Sequence, residues 1–257
     1  MKTPQVAKHI SAWLDNYCTK AGLSGFIVGI SGGVDSAVTS TLCAMTGKKT
    51  LIVSMPIRQS SAEYGRAINH LKNLQERFPN VVALDLNLTE MFSAFEKVLP
   101  QKTLDDALAM ANSRSRLRMT TLYAVGQAEG CLVAGTGNKV EDFGVGFFTK
   151  YGDGGVDLSP IADLSKSDVW DLAKEIGVIP EIIEAKPTDG LWDDDRNDED
   201  QIGASYPELE WAMEFSGDEK NLSPRELEVL KIYRKFHNAN KHKMLPIPVC
   251  IIPEEYK

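Results

Sequence analysis

Four short apolar runs mark the first half of the chain, and each of the first three is followed by a segment whose apolar residues recur at helical spacing. The runs cover residues 26–30, 50–54, 81–84 and 131–134. Short runs rich in β-branched residues, bounded by turn residues, are typical of buried strands. Repeated strand–helix units predict an α/β fold, a doubly wound and mostly parallel sheet with helices on both faces.

The first strand runs directly into Ser31-Gly32-Gly33-Val34-Asp35-Ser36. A strand, a glycine turn and a helix N-terminus together can hold a phosphate, because backbone N–H groups and the helix dipole favour negative charge there. Neither G-x-x-x-x-G-K-[ST] nor G-x-G-x-x-G occurs in the chain. Asp35 would repel a bound phosphate unless a cation lay between them, so it predicts a bridging Mg²⁺. The alternative is an ordinary βα turn with Asp35 and Ser36 in the first helical turn.

Further polar groups follow the second and fourth strands, at the sheet edge where ligands of parallel sheets bind. Arg58 and Gln59 follow the second strand and are candidates for contact with phosphate, ribose or adenine; a plain surface loop is the alternative. The fourth strand opens into residues 135–157, a segment with seven glycines and several charged side chains. This composition favours an ordered functional loop over a flexible connection.

Two groups of basic residues suggest anionic partners. Three arginines, at positions 114, 116 and 118, lie inside a predicted apolar helix over 103–129. They favour contact with a substrate phosphate or carboxylate; ion pairs with acidic neighbours, or a solvated face, are the alternative. Lys166 falls in the first turn of a helix that Ser165 would cap. A positive charge is unfavourable there, which indicates an anionic partner for the lysine.

The composition is that of an ordinary globular protein, with 257 residues, 43% hydrophobic residues and a net charge of −8. An acidic chain does not favour a nucleic-acid surface, which needs a basic patch. No apolar run approaches the roughly 18–20 residues that span a bilayer, so no membrane contact is expected. The four cysteines form no C-x-x-C pair. They argue against zinc and predict reduced thiols in a cytoplasmic protein.

The stretch from Ser31 to Ser36 resembles the S-G-G-x-D-S loop of the N-type ATP pyrophosphatases, the adenine nucleotide alpha hydrolase-like family with Rossmann-like α/β domains. Its members cleave ATP between the α- and β-phosphates and adenylate an oxygen of the substrate. Further blocks resemble the ammonia-dependent NAD synthetase family, in the family's order and over nearly the whole chain. They are Gly135-Thr136-Gly137-Asn138-Lys139-Val140-Glu141, the G-F-F-T-K-Y-G-D-G-G-V-D block at 146–157, Pro187-Thr188-Asp189, Arg116-Leu117-Arg118-Met119 and His242-Lys243.

This resemblance implies the ATP-dependent amidation of deamido-NAD (nicotinic acid adenine dinucleotide) with ammonia, through an adenylated intermediate, as the last step of NAD biosynthesis. It implies Mg²⁺ on Asp35 and Glu141, electrostatic help from Lys166, and Asp153 as the candidate base for ammonium or the attacking amine. The implied ATP contacts are Gly29, Ile30, Ser31, Gly32, Gly33, Val34, Asp35, Ser36, Arg58, Gln59, Thr136, Lys166 and Thr188. The implied deamido-NAD contacts are Arg116, Lys150, Asp157, His242 and Lys243.

One domain over residues 1–257 is expected, with no N-terminal glutaminase domain because only about 25 residues precede the loop. Free ammonia would then be the nitrogen donor. The resemblance also implies a homodimer, with the helix over 103–129 as an interface candidate. Two alternatives are another adenylating amidase or thiolase of this fold and a non-catalytic adenine-nucleotide sensor. The sensor predicts loss of the metal carboxylates, yet Asp35 and Glu141 are both present.

Overall fold

The computed structural model describes residues 1–185 and 198–257, and a four-stranded sheet lies at its centre. Its strands are β1 (Gly25–Ile30), β2 (Lys49–Ser54), β3 (Val81–Asp85) and β4 (Cys131–Val133). They lie in the order β3-β2-β1-β4, and every neighbouring pair is parallel. All four strands therefore end at one edge of the sheet, and the predicted parallel α/β fold is confirmed.

The described part of the chain forms the following helices around this sheet. They are α1 (Thr3–Ala21), α2 (Val34–Met45), α3 (Ser61–Arg77), α4 (Thr89–Glu96), α5 (Gln101–Leu104), α6 (Ala107–Glu129), α7 (Lys166–Glu175), α8 (Pro180–Ile183), α9 (Asp198–Ile202), α10 (Tyr206–Glu214) and α11 (Pro224–Met244). A π-helical segment covers Val140–Val145, and short 3₁₀ turns cover Glu219–Asn221 and Glu254–Tyr256.

Helices cover both faces of the sheet, with a hydrophobic core beneath each layer. On one face, α1, α2, α3 and α7 pack over Phe26, Val28 and Ile52. On the other, α4 and α6 pack over Ile27 and Val53. Successive side chains of a strand point to opposite faces, so a strand buried on both sides must be apolar throughout. This explains why the strands read as unbroken apolar runs, and it confirms the doubly wound arrangement.

A third hydrophobic cluster lies among the π-helical segment, α9, α10 and α11, and it meets one of the sheet layers at Trp170. Tyr206, Leu209 and Val229 are among its buried members. Gly146 follows the π-helical segment with a φ of +64°, and a Cβ there would lie 2.5 Å from the Cβ of Asn240. Glycine therefore allows both the backbone conformation and the close approach of α11.

The prediction of a single helix over 103–129 is wrong at its N-terminal end. The carboxylate of Asp106 accepts a hydrogen bond from the backbone N–H of Ala109 at 3.0 Å. This cap starts α6, so Gln101–Leu104 forms a separate short helix. At the other end of the chain, apolar spacing predicts a helix over 223–240, and α11 continues four residues beyond that end. The basic residues near 242 therefore lie in its last turn, where the helix dipole favours positive charge.

Two chain-wide expectations can be compared with the structure. Among residues 1–185 and 198–257, no helix is both long and apolar enough to cross a membrane. The cysteines are free thiols, of which Cys18, Cys43 and Cys131 are buried and Cys250 is exposed. Burial raises the pKa of the Cys18 thiol, so it is a protonated core residue.

A buried histidine joins the helix after the glycine loop to its neighbour. His70 on α3 is fully buried, and its Nε2 lies 2.9 Å from the Oγ of Ser40 on α2. Burial, with a smaller effect from the charge of Arg77, lowers the pKa of His70 to about 4. An unfolded histidine titrates near 6.5. Acid must therefore protonate the unfolded chain before the native one, which destabilises the fold.

We expect the titration of His70 to remove about 3 kcal/mol from the free energy of unfolding between pH 7 and pH 4. Its contribution is complete above pH 6.5 and is lost as the pH falls towards 4. Urea unfolding at both pH values would measure this loss. A His70→Gln variant cannot titrate at this position and should lose correspondingly less stability in acid. Equal acid losses in the two proteins would contradict the assignment.

Candidate active site

The candidate site lies at the carboxyl edge of the sheet, between β1 and β4. The chain leaves β1 towards β2 and β3 on one side and later returns to β4 on the other. Such a switch point opens a crevice outside the strand ends. A cavity of about 230 Å³ lies there, between the loop after β1, the end of β4, α6 and the glycine-rich segment.

The glycine loop forms one wall of this cavity. All its predicted ATP contacts from position 29 to 36, except Gly32, line the cavity. Gly32 forms the back of the loop: its φ is +89°, and a Cβ would lie 2.6 Å from the carbonyl oxygen of Glu63. The Oγ of Ser36 donates to the carbonyl of Gly33 at 2.9 Å, which closes the turn over the start of α2. At position 32 only glycine can both adopt this positive φ and fit beside the carbonyl oxygen of Glu63.

Lys166 is the charged centre of the site. Its side chain is only 2% exposed, and its Nζ donates to Asp35 Oδ2 at 2.6 Å and to Glu141 Oε1 at 2.9 Å. Ser165 caps α7 through a capping box with Asp168, which places Lys166 in the first helical turn as predicted. The anionic partners that this position required are the two carboxylates.

Burial and charge act in opposite directions on this cluster. Burial alone would lower the pKa of Lys166, but the charges and hydrogen bonds of Asp35 and Glu141 outweigh it and raise that pKa. Burial would raise the pKa of Glu141, but the Lys166 charge and a Tyr206 hydrogen bond outweigh it and lower that pKa. For Asp35 burial prevails over the Lys166 charge, and its pKa is raised. One ammonium therefore faces two carboxylates of unequal acidity.

Two more carboxylates, Asp142 and Asp153, line the same cavity. Burial raises the pKa of Asp142 to about 8, and the negative charges of Glu141, Asp153 and Asp35 add to the shift. The Asp142 carboxylate fills the space where a Cβ of residue 137 would lie, which explains the glycine there. With this raised pKa, Asp142 is mostly neutral at pH 7. Asp153 together with Asp35 and Glu141 around the single Lys166 ammonium still leaves net negative charge, which would repel a polyphosphate unless a cation accompanied it.

The residues present fit Mg²⁺. In the described ranges, no set of three or more His, Cys, Asp or Glu side chains is arranged to hold a metal alone. Mg²⁺ typically takes one or two protein carboxylates together with substrate phosphates. Asp35 and Glu141 offer two such carboxylates, which converge on the ammonium of Lys166. They therefore suit a metal that arrives with a nucleotide.

Asp153 is fixed by contacts with α6 and its own loop. Its Oδ1 accepts hydrogen bonds from Ser115 Oγ at 2.6 Å and from the backbone N–H of Thr149 at 3.0 Å. Its backbone N–H donates to Ser115 Oγ at 2.8 Å. Gly152 lies so close to Ser115 that a Cβ at position 152 would collide with its hydroxyl. The carboxylate thus has a fixed place at the cavity wall.

The outer ATP contacts predicted from the sequence separate into two groups. Thr136 and Gln59 line the cavity, and Gln59 Nε2 donates to the carbonyl of Ser31 at 3.3 Å. Arg58 is not among the lining residues. Its guanidinium donates to Glu96 at 2.5 Å and 3.0 Å. The structure thus places Gln59 at the site and holds Arg58 in an ion pair beside α4.

Four predicted deamido-NAD contacts form a connected series beside the glycine-rich segment. Arg116 Nε donates to the carbonyl of Lys150 at 3.3 Å, and Lys150 Nζ donates to the carbonyl of His242 at 3.1 Å. Lys243 Nζ donates to the carbonyl of Phe148 at 2.6 Å. These bonds connect α6, the glycine-rich segment and the last turn of α11. None of the four predicted residues is part of the cavity lining that the described residues form.

The fifth predicted deamido-NAD contact, Asp157, is bound within the chain. Asp157 uses both carboxylate oxygens within the chain, accepting from Tyr123 Oη at 3.0 Å and from the backbone N–H of Val133 at 2.8 Å. These bonds secure the strand end beside the cavity. Thr188 lies outside the described residues.

Sequence reasoning missed the roles of three residues at the site. Arg118, whose Nε donates to the carbonyl of Met55 at 3.0 Å, lines the cavity, whereas the favoured Arg116 does not. Asn138 and Tyr206 contact the two central carboxylates. Asn138 belongs to the block at 135–141 that resembles the family, so its place near the site could have been found. Tyr206 is 65 residues from its partner Glu141, and no motif connects them.

The fold and the site together define a class of protein. It is a doubly wound α/β protein whose switch point carries a glycine loop of the kind that binds phosphate, and a lysine paired with two carboxylates. The family model described as NAD synthase matches residues 6–245. The chain belongs to this family.

Individual relatives agree with the family match. The NH(3)-dependent NAD(+) synthetase of Mesoplasma florum is 34% identical, over 100% of this chain and 99% of the relative. That of Carboxydothermus hydrogenoformans is 41% identical, over 77% of this chain and 80% of the relative. Among solved structures, the NMN synthetase of Francisella tularensis superposes with a TM-score of 0.85 at 28% identity, over 99% of both chains. The NH3-dependent NAD synthetase of Campylobacter jejuni has the same fold, with a TM-score of 0.79 at 24% identity over 98% of this chain and 100% of that one.

The family's reaction is the amidation of deamido-NAD with ATP, and the two sequence relatives named above are ammonia-dependent enzymes. The chain is therefore a ligase of NAD biosynthesis that uses ATP and ammonia. The expected family, class of enzyme and co-substrate are confirmed.

Proposed function

We propose that this site converts deamido-NAD to NAD in two stages. ATP first adenylates the nicotinate carboxylate and pyrophosphate leaves; ammonia then attacks the activated carbonyl carbon and AMP leaves. The observation that supports this proposal is one cavity lined by the glycine loop, two converging carboxylates and a buried lysine. A carboxylate oxygen is a poor leaving group, so activation must precede amidation.

In this proposal the loop over residues 29–36 binds the departing phosphates through its backbone N–H groups. Asp35 and Glu141 would hold Mg²⁺, whose charge would offset the negative charge of the departing pyrophosphate. Lys166 holds the two carboxylates together and adds positive charge beside the departing group. The further proposed ATP contacts are Gln59, Thr136, Arg58 and Thr188.

Deamido-NAD would bind beside the glycine-rich segment, along the series of basic residues described above. Arg116, Lys150 and Lys243 supply positive charge for a dinucleotide, and His242 and Asp157 complete the proposed contacts. We also propose a homodimer with residues 103–129 at the interface, one domain over 1–257, and a cytoplasmic location. Three buried free thiols support a reducing compartment.

We propose Asp153 as the base that takes a proton from ammonium or from the attacking amine. Its fixed carboxylate at the cavity wall supports this role. Asp153→Asn should leave pyrophosphate release nearly unchanged and slow amide formation by about 10²-fold, a typical contribution from a general base. Single-turnover measurements of both products would test this. Equal losses in the two half-reactions would instead indicate that Asp153 only anchors its loop.

A second candidate acceptor is nicotinate mononucleotide, the acid whose amide is NMN. The high TM-score with the NMN synthetase of Francisella tularensis favours this candidate. Both acceptors present the same nicotinate carboxylate, so the chemistry at the cavity would be the same. They differ in whether an adenylate half is present to bind beyond it.

An assay with ATP, Mg²⁺ and ammonium would decide between the acceptors. AMP formation would be measured with deamido-NAD, nicotinate mononucleotide or xanthosine monophosphate. We expect the highest kcat/KM with deamido-NAD and no AMP with xanthosine monophosphate. A higher kcat/KM with nicotinate mononucleotide would establish the second candidate. No AMP with either nicotinate compound would refute both.

A further inference from the structure

Asn138 links the two carboxylates of the site through one buried amide. The residue is fully buried, and its Nδ2 donates to Asp35 Oδ1 at 3.0 Å. Its Oδ1 accepts the backbone N–H groups of Val140 and Glu141, each at 3.1 Å. The first contact reaches the first turn of α2, and the second fixes the first turn of the π-helical segment. One side chain therefore sets the position of Asp35 relative to the backbone of Glu141.

Tyr206 fixes the side chain of Glu141 from the opposite direction. Its hydroxyl donates to Glu141 Oε1 at 2.5 Å, the same oxygen that Lys166 contacts. The tyrosine ring is fully buried and lies edge-on to Trp170, with 6.0 Å between the ring centroids. Its backbone N–H donates to Glu199 at 2.9 Å. The hydroxyl therefore sits on a rigid support, and Glu141 is held in one direction.

We propose that Asn138 and Tyr206 are positioning residues that keep Asp35 and Glu141 facing the same point, so that both carboxylates can ligate one divalent cation. This inference rests on the proposed metal role of the two carboxylates. Each positioning residue binds one oxygen of its carboxylate. Without these donors the carboxylates would have to be ordered as the cation binds, at a cost in affinity.

Two variants separate this role from a general effect on folding. Tyr206→Phe keeps the buried ring and removes only the hydroxyl. Asn138→Ala removes the donor to Asp35 without adding a charge to the site. Tyr64→Phe is the matched control, because Tyr64 Oη also donates to a carboxylate, that of Asp85, at 2.5 Å and Tyr64 does not line the cavity.

The measurement is Mn²⁺ binding in the presence of α,β-methylene-ATP, followed by electron paramagnetic resonance of the full chain. We expect each site variant to weaken Mn²⁺ binding by about 10- to 100-fold, the usual effect of removing a partner of a metal ligand. The control should bind as the wild type does. Binding of the same nucleotide in EDTA should stay within twofold of wild type in all three variants, which excludes damage to the glycine loop. Raised Mg²⁺ should restore pyrophosphate release in the two site variants.

The outcomes are distinct. A wild-type Mn²⁺ affinity in either site variant would overturn the role of that residue, while the metal role of Asp35 and Glu141 would stand. A parallel loss of nucleotide binding in EDTA would replace positioning with a general structural role. A wild-type protein that binds no Mn²⁺ with the nucleotide would refute both the metal proposal and this inference. The acceptor assay described above is independent of all three results.

Discussion

Replacing Asp35 by asparagine is expected to reduce both pyrophosphate release and AMP formation by about 10³-fold. Losses of this size are typical when one electrostatic contact to a transition state is removed. The neutral amide cannot supply the charged oxygen that the proposed Mg²⁺ requires. The fold should survive the change. Lys166 keeps Glu141 as a partner at 2.9 Å, so one buried positive charge still meets one buried negative charge.

Pre-steady-state release of pyrophosphate from labelled ATP would measure this loss, and thermal unfolding would confirm that the variant is folded. Asp163→Asn provides the matched control, because Asp163 has a fully exposed side chain and an ion pair with Lys139 at 3.4 Å. The control should be as active as the wild type. Normal pyrophosphate release by the Asp35 variant would show that its carboxylate takes no part in the first half-reaction.

Replacing Lys166 by methionine is expected to lower the free energy of unfolding by about 3–5 kcal/mol at pH 8 and to abolish measurable activity. The lysine is buried between Asp35 and Glu141, and methionine leaves both carboxylates without a positive partner. Loss of the ammonium raises the pKa of both carboxyls, so they take up protons more readily. The stability cost should therefore be smaller at pH 5 than at pH 8.

Urea unfolding at the two pH values, with and without Mg²⁺, would test this prediction. Mg²⁺ should restore part of the lost stability, because it brings positive charge to the same two carboxylates. Lys174→Met is the control from the same helix: Lys174 is exposed and pairs with Asp171 at 3.4 Å. Its replacement should change the free energy of unfolding by less than about 1 kcal/mol. Similar losses for the two lysines would show that the central ion pairs contribute no special stability.

The sheet and its loop could be predicted because their signals are local. Buried strands have apolar runs, and the glycines at 32 and 33 follow the first of them directly. Lys166 was also predictable, since its place in a first helical turn demanded an anion. The break before α6 escaped prediction because the Asp106 cap interrupts an apolar pattern that continues on both sides.

The arrangement of the site was less predictable, because it depends on contacts between distant parts of the chain. Arg58, Arg116 and Arg118 have the same chemistry in the sequence, and only packing decides that Arg118 lines the cavity. Tyr206 reads as an ordinary first helical residue. It becomes part of the site only when α10 packs against the π-helical segment that carries Glu141. The sequence shows which residue types are available for the site, but it does not show the distances between them in the folded protein.

The third hydrophobic cluster, that of the C-terminal helices, has a consequence for how the protein loses activity under mild denaturation. Asp35 is anchored by the sheet, whereas Glu141 depends on the cluster around Tyr206. A local opening of that cluster would release one carboxylate while the sheet stayed intact. Activity then reports on the C-terminal cluster, which meets the sheet layer through its edge at Trp170, and we expect activity to be lost before the sheet unfolds.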